Sequence, residues 1–238
     1  MRLSVVIPAY NEEHRIGDTL RSAVSYLQKQ SYDWEIIVVS DGSKDGTPKV
    51  VQAAGASVPQ IRLIDNKENH GKGYVVNQGM KAAKGEYRLF MDADNSTTTD
   101  EIESFWPWFE KGYDVVIGSI EVEGAKINEQ AGWHRRFLGH IAKLIIRMML
   151  IPDIHDTQRG FKCFSSKTID PVFSRQTIWR WGFDFEILFI AKKHGFKIKE
   201  VPVVWNNQGE SKVKLSGYIS TFRELLRVRW NALTGKYR

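Results

Sequence analysis

Through the first half of the chain, short runs of Val, Ile and Leu alternate with longer stretches whose apolar residues recur at helical spacing. Leu3–Ile7, Glu35–Ser40, Ile61–Ile64, Tyr87–Met91 and Asp114–Ile117 are nearly continuous in apolar residues and read as buried strands. Glu12–Gln30, Thr47–Ala54, Gly73–Ala83 and Asp100–Glu110 read as the helices between them. Asp45-Gly46-Thr47-Pro48 suits a helix start, with a capping side chain ahead of an early proline. The alternation predicts an α/β fold built on a doubly wound, mostly parallel sheet. Such sheets bind ligands beyond the carboxyl ends of their strands, and the polar clusters of this chain fall at those ends.

The second half changes character. His134–Leu150 reads as a helix with Phe137, Leu138, Ile141, Leu144, Ile145, Met148 and Met149 on one stripe. Arg136, His140, Lys143 and Arg147 lie opposite, with no acidic residue among them. A polar loop, a helix at Phe183–His194 and a strand at Ile198–Trp205 follow. The chain closes on a second basic amphipathic segment, Leu215–Leu233, with Leu215, Tyr218, Ile219, Phe222, Leu225, Leu226, Trp230 and Leu233 at helical spacing. Helices of this kind pack on their own domain or lie in a lipid headgroup layer. No apolar stretch reaches the roughly 20 residues of a spanning helix. No signal peptide is expected ahead of Ser4, because the first apolar run is short and leads into Pro8. Membrane contact is therefore expected from the side, by a peripheral protein on the cytoplasmic face.

Composition adds little and excludes something. The 238 residues suffice for a large single domain, and 42% hydrophobic with 26% charged residues is ordinary for a globular chain. One cysteine, Cys163, excludes an internal disulfide and a zinc site of its own, and suits a reducing compartment. A net charge of +6 fits phosphate-bearing ligands or an anionic surface. A nucleic-acid-binding module is one reading of that charge; its binding would fall steeply with salt and ignore sugar nucleotides.

The chemistry gathers at the strand ends. Asp92-Ala93-Asp94 directly follows Tyr87–Met91. Two carboxylates so spaced can share a hard cation and present it to a diphosphate, although a lone Asp-x-Asp is more often a solvated turn. Asp41-Gly42-Ser43 ends the second strand, where a carboxylate can hold a base or ribose or cap a helix. Pro8-Ala9-Tyr10-Asn11-Glu12 brings a ring and a carboxylate to the same crevice. Asn69-His70-Gly71-Lys72-Gly73 is a glycine-rich strand-to-helix turn carrying a cation, suited to a phosphate or simply to turning the chain.

As a set, Val5-Val6-Ile7-Pro8-Ala9-Tyr10-Asn11-Glu12, Val39-Ser40-Asp41-Gly42-Ser43-Lys44-Asp45, Asn69-His70-Gly71-Lys72-Gly73 and Asp92-Ala93-Asp94 resemble family 2 glycosyltransferases in order and spacing. The resemblance implies the GT-A fold, an inverting mechanism and a Mg²⁺ or Mn²⁺ ion on Asp92 and Asp94. It implies that Pro8, Tyr10, Glu12 and Asp41 hold the nucleoside, with Lys72, Asp92 and Ala93 beside the diphosphate. His155-Asp156-Thr157-Gln158-Arg159-Gly160-Phe161-Lys162, Arg180-Trp181-Gly182-Phe183-Asp184-Phe185-Glu186 and Gly209-Glu210-Ser211-Lys212 resemble enzymes that glycosylate dolichyl or undecaprenyl phosphate. With Glu200-Val201-Pro202-Val203 downstream, the pattern is most similar to dolichyl-phosphate β-glucosyltransferases, with the mannosyltransferases a near second.

The implied reaction moves glucose from UDP-glucose to a polyprenyl (dolichyl-type) phosphate. Residues 1–120 would form the nucleotide-sugar half and 121–238 the acceptor half of one domain, 1–238. GDP-mannose as donor, or a saccharide hydroxyl as acceptor, are the alternatives within the class; a silent sugar-nucleotide sensor is the alternative outside it. A lipid phosphate arrives ionised and needs cations, for which Arg135, Arg136 and Lys212 are the candidates, with Lys162 behind them. Asp156 would orient an arginine or the acceptor; a hydroxyl acceptor would instead need a base, such as Asp156 or Asp184. Two positions depart from the mannosyltransferase pattern. Ser96 stands where a metal-binding Gln is usual, and Ile120 where an Arg near the donor phosphates is usual.

Overall fold

The computed structural model describes residues 1–128, 133–206 and 215–238; within its helices, side chains 133–138, 140, 142 and 215–219 are not described. Strands β1 (Leu3–Ala9), β2 (Trp34–Asp41), β3 (Ile61–Asn66), β4 (Tyr87–Met91) and β5 (Val115–Ser119) occupy the five predicted positions. Helices α1 (Ile16–Leu27), α2 (Thr47–Ser57), α3 (Lys72–Ala82) and α4 (Trp106–Glu110) lie between them. After β6 (Lys126–Asn128) come α5 (Trp133–Met149), β7 (Phe161–Ser165), α6 (Ser166–Phe173), α7 (Phe183–Lys193), β8 (Ile198–Pro202), β9 (Val204–Asn206) and α8 (Leu215–Leu233).

The main sheet has seven strands in the order β3-β2-β1-β4-β7-β5-β8, and β6 and β9 form a small parallel pair beside it. Both faces are covered. Val6, Ile37, Val39 and Phe90 point into one apolar cluster with α3, α6 and α7, while Val5, Ile7, Ile36, Val38 and Leu89 point into the other. This two-sided burial explains why the strands read as unbroken apolar runs. Gly79 lets α3 lie close against the sheet, since a Cβ there would sit 2.4 Å from Val6 Cγ1. That close approach sets the position of the turn preceding α3.

Three elements differ from expectation. The region 155–162, read as a polar loop, runs into β7, which is antiparallel to both β4 and β5. The run Phe161-Lys162-Cys163-Phe164-Ser165 is broken by a lysine at its second position and so does not announce a central strand. The predicted helix Asp100–Glu110 is a 3-10 turn, Thr99–Ser104, followed by the short α4. Pro107, which lacks an N–H and crowds the carbonyl four residues back, prevents one continuous helix. The predicted strand Ile198–Trp205 divides at Pro202-Val203, with β8 continuing the main sheet and β9 joining β6.

The two amphipathic helices are placed unevenly. In α5, Ile146 is buried while Ile141, Leu144 and Met148 are exposed. In α8, Leu225, Val228 and Asn231 face inward, and Phe222, Leu226, Trp230 and Leu233 face solvent beside Arg223, Arg227 and Arg229. Among the described residues, no helix is long and apolar enough to cross a membrane.

Candidate active site

The first wall is built where β1 and β2 end. Pro8 pairs with Val39 inside the sheet, and Tyr10, just beyond, is exposed. Asn11 turns the chain with φ 53°, a left-handed conformation that Asn tolerates. Its Oδ1 accepts the Lys44 N–H at 2.9 Å. Glu12 receives the Arg15 guanidinium, Nε at 2.8 Å, and donates its backbone N–H to Thr47 Oγ1 at 2.8 Å. Asp41 is buried, and its two carboxylate oxygens accept the backbone N–H groups of His70 at 2.7 Å and Gly71 at 3.0 Å. Asp41 thus pins the glycine-rich turn to the end of β2. Gly71 sits at φ 102°, where a Cβ would meet the Trp179 carbonyl oxygen at 2.4 Å, so this turn needs glycine.

That turn delivers Lys72 to the acidic motif. Lys72 Nζ lies 2.5 Å from Asp92 Oδ1 and 5.8 Å from the centre of the Trp181 ring. Burial works against its charged form, but Asp92, Asp184 and Asp94 outweigh that and hold its pKa above the usual lysine value. Asp92 donates its N–H to the Gly160 carbonyl at 3.1 Å, and a Cβ on Gly160 would fall 2.2 Å from Asp92 Oδ2. The side-chain-free Gly160 therefore forms the cradle in which the Asp92 carboxylate sits. Ala93 is buried, its carbonyl accepting the Thr19 hydroxyl at 2.6 Å. Asp94 Oδ1 accepts the Ser96 N–H at 3.0 Å, which fixes the orientation of that carboxylate.

Behind this edge lies a second layer of charge. Lys162, expected among the acceptor cations, is wholly buried on β7, with Nζ 2.5 Å from Asp184 Oδ1 and also donating to the Arg159 carbonyl. Its Nζ lies 5.1 Å from the centre of the Phe90 ring. It is not a surface cation, because β7 runs through the middle of the sheet. Burial pushes Lys162 down and Asp184 up, each toward its neutral form. Asp156 is also buried, with Oδ2 accepting from Ile120 N–H at 3.2 Å and Arg159 Nε at 3.4 Å, and Lys143 Nζ 3.7 Å from Oδ1. Burial alone would raise its pKa; Arg159, Lys143 and the Ile120 N–H outweigh burial and hold it below the usual carboxylate range. The backbone at Ile120, where an arginine side chain was expected, thus still serves the site through its N–H.

The structure brings Pro8, Tyr10, Glu12, Asp41, Lys72, Asp92, Ala93 and Asp94 to one end of the sheet. Asp156 and Lys162 lie behind that rim. The side chains of Arg135 and Arg136 and the whole of Lys212 lie outside the described residues. Four contributors lie in the motifs quoted above but were given no role from sequence. Gly160 makes room for Asp92; Arg159 joins Asp156 and stacks 4.5 Å from the Trp205 ring centre. Glu200 accepts the N–H groups of His155 and Asp156 at 2.9 and 2.7 Å. Glu186, buried, gathers Thr177, Ile178 N–H and Tyr237 Oη. Glycine spacing signals the first; nothing in the linear sequence links the others.

A divalent ion fits this donor set. Asp92 and Asp94 are hard oxygen ligands with one carboxylate oxygen each not engaged by the contacts above. Among the described residues no group of three or more His, Cys, Asp or Glu could hold a metal by itself. Two carboxylates completed by phosphate oxygens are the usual arrangement for Mg²⁺ at phosphate-binding sites.

The family 2 glycosyl transferase profile matches residues 4–170, and the chain belongs to that family. It is a glycosyl-transferring enzyme on the GT-A fold. It is 38% identical to a dolichyl-phosphate β-glucosyltransferase of Trichomonas vaginalis, over 94% of this chain and 69% of that protein. The human dolichyl-phosphate β-glucosyltransferase is 32% identical over 100% of this chain and 78% of its own length. Among solved structures, glucosyl-3-phosphoglycerate synthase from Mycobacterium tuberculosis with Mn²⁺, UDP-glucose and phosphoglyceric acid aligns with a TM-score of 0.72. That alignment is 18% identical and covers 96% of this chain and 80% of that one.

Two expectations follow from the geometry. Gly160→Ala should crowd the Asp92 carboxylate and lower turnover by about 10²-fold, the loss typical of a misplacement near 1 Å. Circular dichroism melting should show little change in the fold. Asp156→Asn should destabilise the protein by about 1–3 kcal/mol, because it removes a buried carboxylate that pairs with the half-buried Arg159 and Lys143. A carboxyl held low stabilises the fold above its unfolded pKa, about 3.9, and loses that effect as pH falls through the lower folded value. In urea titrations the wild-type advantage should stay constant between about pH 7 and 5 and shrink below about pH 4.

Proposed function

We propose that this enzyme transfers glucose from UDP-glucose to a dolichyl-type polyprenyl phosphate with inversion, as one unit comprising a donor half and an acceptor half. The relatives' names support the acceptor and the sugar. The Mn²⁺ and UDP-glucose in the structural neighbour support a UDP-sugar rather than GDP-mannose. The nucleoside would lie against Pro8, Tyr10 and Glu12, on the wall that Asp41 fixes. Asp92 and Asp94 would hold Mg²⁺ or Mn²⁺, and Lys72 would face the diphosphate. When bound, the ion supplies Lewis-acid stabilisation of charge on the departing diphosphate.

The observation that carries a phosphate acceptor is the state of the carboxylates. A sugar hydroxyl requires a general base whose pKa lies near the working pH. Asp156 is held low by Arg159 and Lys143, and Asp184 is buried against Lys162. Asp156 therefore suits positioning cations, and Asp184, although burial raises it, is closed off from solvent against Lys162 and so is poorly placed to take a proton from a substrate. A lipid phosphate, already ionised, needs no base and needs cations, for which Arg135, Arg136 and Lys212 remain our candidates.

The membrane reading rests on α5 and α8. Exposed Ile141, Leu144 and Met148 on one, with Phe222, Leu226, Trp230 and Leu233 interleaved with arginines on the other, suit an anionic headgroup layer. We place the enzyme on the cytoplasmic face of a membrane, without nucleic acid as a partner.

The direct test is Mn²⁺-dependent nucleotide release from a panel of sugar nucleotides, with and without polyprenyl phosphate. UDP release from UDP-glucose should require the lipid phosphate and vanish in Asp94→Ala. Donor binding with turnover only on saccharides would overturn the acceptor, and turnover of GDP-mannose would overturn the donor. For membrane contact, Leu226→Glu with Trp230→Glu should cut co-sedimentation with vesicles containing phosphatidylserine by about tenfold. This follows from burying apolar and basic residues in such a layer. Unchanged co-sedimentation would remove α8 from the interface.

A further inference from the structure

The ammonium of Lys72 and a divalent ion both need Asp92. Lys72 Nζ is 2.5 Å from Asp92 Oδ1, and both partners are held firmly. Asp41 ties down the turn before Lys72 by accepting from His70 and Gly71 N–H, and the Gly73 N–H donates to the Trp179 carbonyl at 2.9 Å. Asp92 is anchored through its N–H on Gly160 and confined by the cradle there. The neighbouring carboxylate of Asp184 is already taken by Lys162 at 2.5 Å. Lys72 thus sets a monovalent cation of the chain itself on the carboxylate that the ion requires. A Mg²⁺-sized ion must approach such an oxygen to about 2.0–2.1 Å, which places a double positive charge beside the ammonium. Like charges that close oppose each other strongly in a partly desolvated site.

We propose that Lys72 serves as an internal counter-cation for Asp92 and yields it to the divalent ion when a nucleoside diphosphate arrives to receive the ammonium. This rests on the donor reading above and extends it to the order of assembly. The diphosphate supplies both a new anionic partner for Lys72 and oxygen ligands for the ion. Metal and nucleotide therefore bind as a coupled pair, and each tightens the other by the same factor, as linkage requires. The free enzyme does not hold a divalent ion ready in advance.

Manganese binding, read from the electron paramagnetic resonance of free Mn²⁺, tests this without turnover. The comparison uses the wild type, Lys72→Met and Lys72→Arg, each with and without UDP. Without UDP, Lys72→Met should bind Mn²⁺ about tenfold more tightly than wild type, within the range usual for coupled sites. Lys72→Arg, which keeps the charge, should stay close to wild type. UDP should tighten Mn²⁺ binding in the wild type by a larger factor than in Lys72→Met. Should Lys72→Met fail to fold by circular dichroism, Lys72→Gln makes the same comparison. Equal or weaker Mn²⁺ binding by the neutral variant, with UDP still tightening it in the wild type, overturns the counter-cation role and leaves the donor site standing. No Mn²⁺ binding by the wild type even with UDP overturns the donor reading and this inference with it.

Discussion

The arrangement of the site depends on one buried ion pair, Lys162 with Asp184. Strand β7 runs antiparallel between β4 and β5, and alternation along it sends Phe161 and Cys163 to one face and Lys162 and Phe164 to the other. A lysine therefore enters an apolar layer beside Phe90, where an unpaired charge is costly. Asp184, in the first turn of α7, answers it from a position where the helix dipole also favours an anion. Removing one partner of such a pair typically costs about 3–5 kcal/mol. The same ammonium takes the Arg159 carbonyl, so the loop that presents Gly160 to Asp92 hangs from this pair.

From that anchor the charges alternate outward. Asp184 is matched by Lys162, Asp92 by Lys72, and Asp156 by Arg159 and Lys143, with Lys143 also meeting Glu121 at 2.6 Å. Each of these three carboxylates is thereby matched by a cation of the chain. Asp94 and Asp41 differ in kind, since they accept backbone N–H groups. The pair Asp92 and Asp94 is therefore asymmetric, one carboxylate neutralised by Lys72 and the other only oriented.

Much of this was readable from sequence, for reasons that differ by residue. The first five strands declared themselves because both faces are buried, which leaves a nearly unbroken apolar run. The candidate site residues of the first half could be picked out because they lie at the ends of those runs, as Asp41 ends β2 and Asp92 follows β4. Strand β7 was missed because Lys162 interrupts its apolar pattern, and only the distant Asp184 makes that lysine admissible. The same ignorance of its partner made Lys162 look like a solvent-facing cation. The helix predicted over 100–110 overlooked Pro107. The stripes on α5 and α8 were seen as single faces. Among the described side chains of α8, Leu225, Val228 and Asn231 are buried, while Phe222, Leu226, Trp230 and Leu233 point outward. Periodicity identifies a stripe but not which part of it meets the core.

The two sides of the site are also joined through the loop before α7. Glu224, on the half-turned flank of α8, accepts the Gly182 N–H at 2.8 Å, and a Cβ on Gly182 would meet Glu224 Cβ at the same distance. Burial raises the pKa of Glu224, so this contact lies in a partly dry setting where a hydrogen bond holds geometry well. One residue earlier, Trp181 stands beside the Lys72 ammonium; two residues before that, the Trp179 carbonyl caps the start of α3. The helix that carries the outward apolar face is therefore tied, through a single short loop, to the turn that sets Lys72 on Asp92. A glycine is required at both ends of that connection, at 71 by the Trp179 backbone carbonyl and at 182 by the side chains of Phe185 and Glu224. The placement of α8 and the contact between Lys72 and Asp92 are consequently one structural constraint, and a change in the loop at 179–182 would alter both.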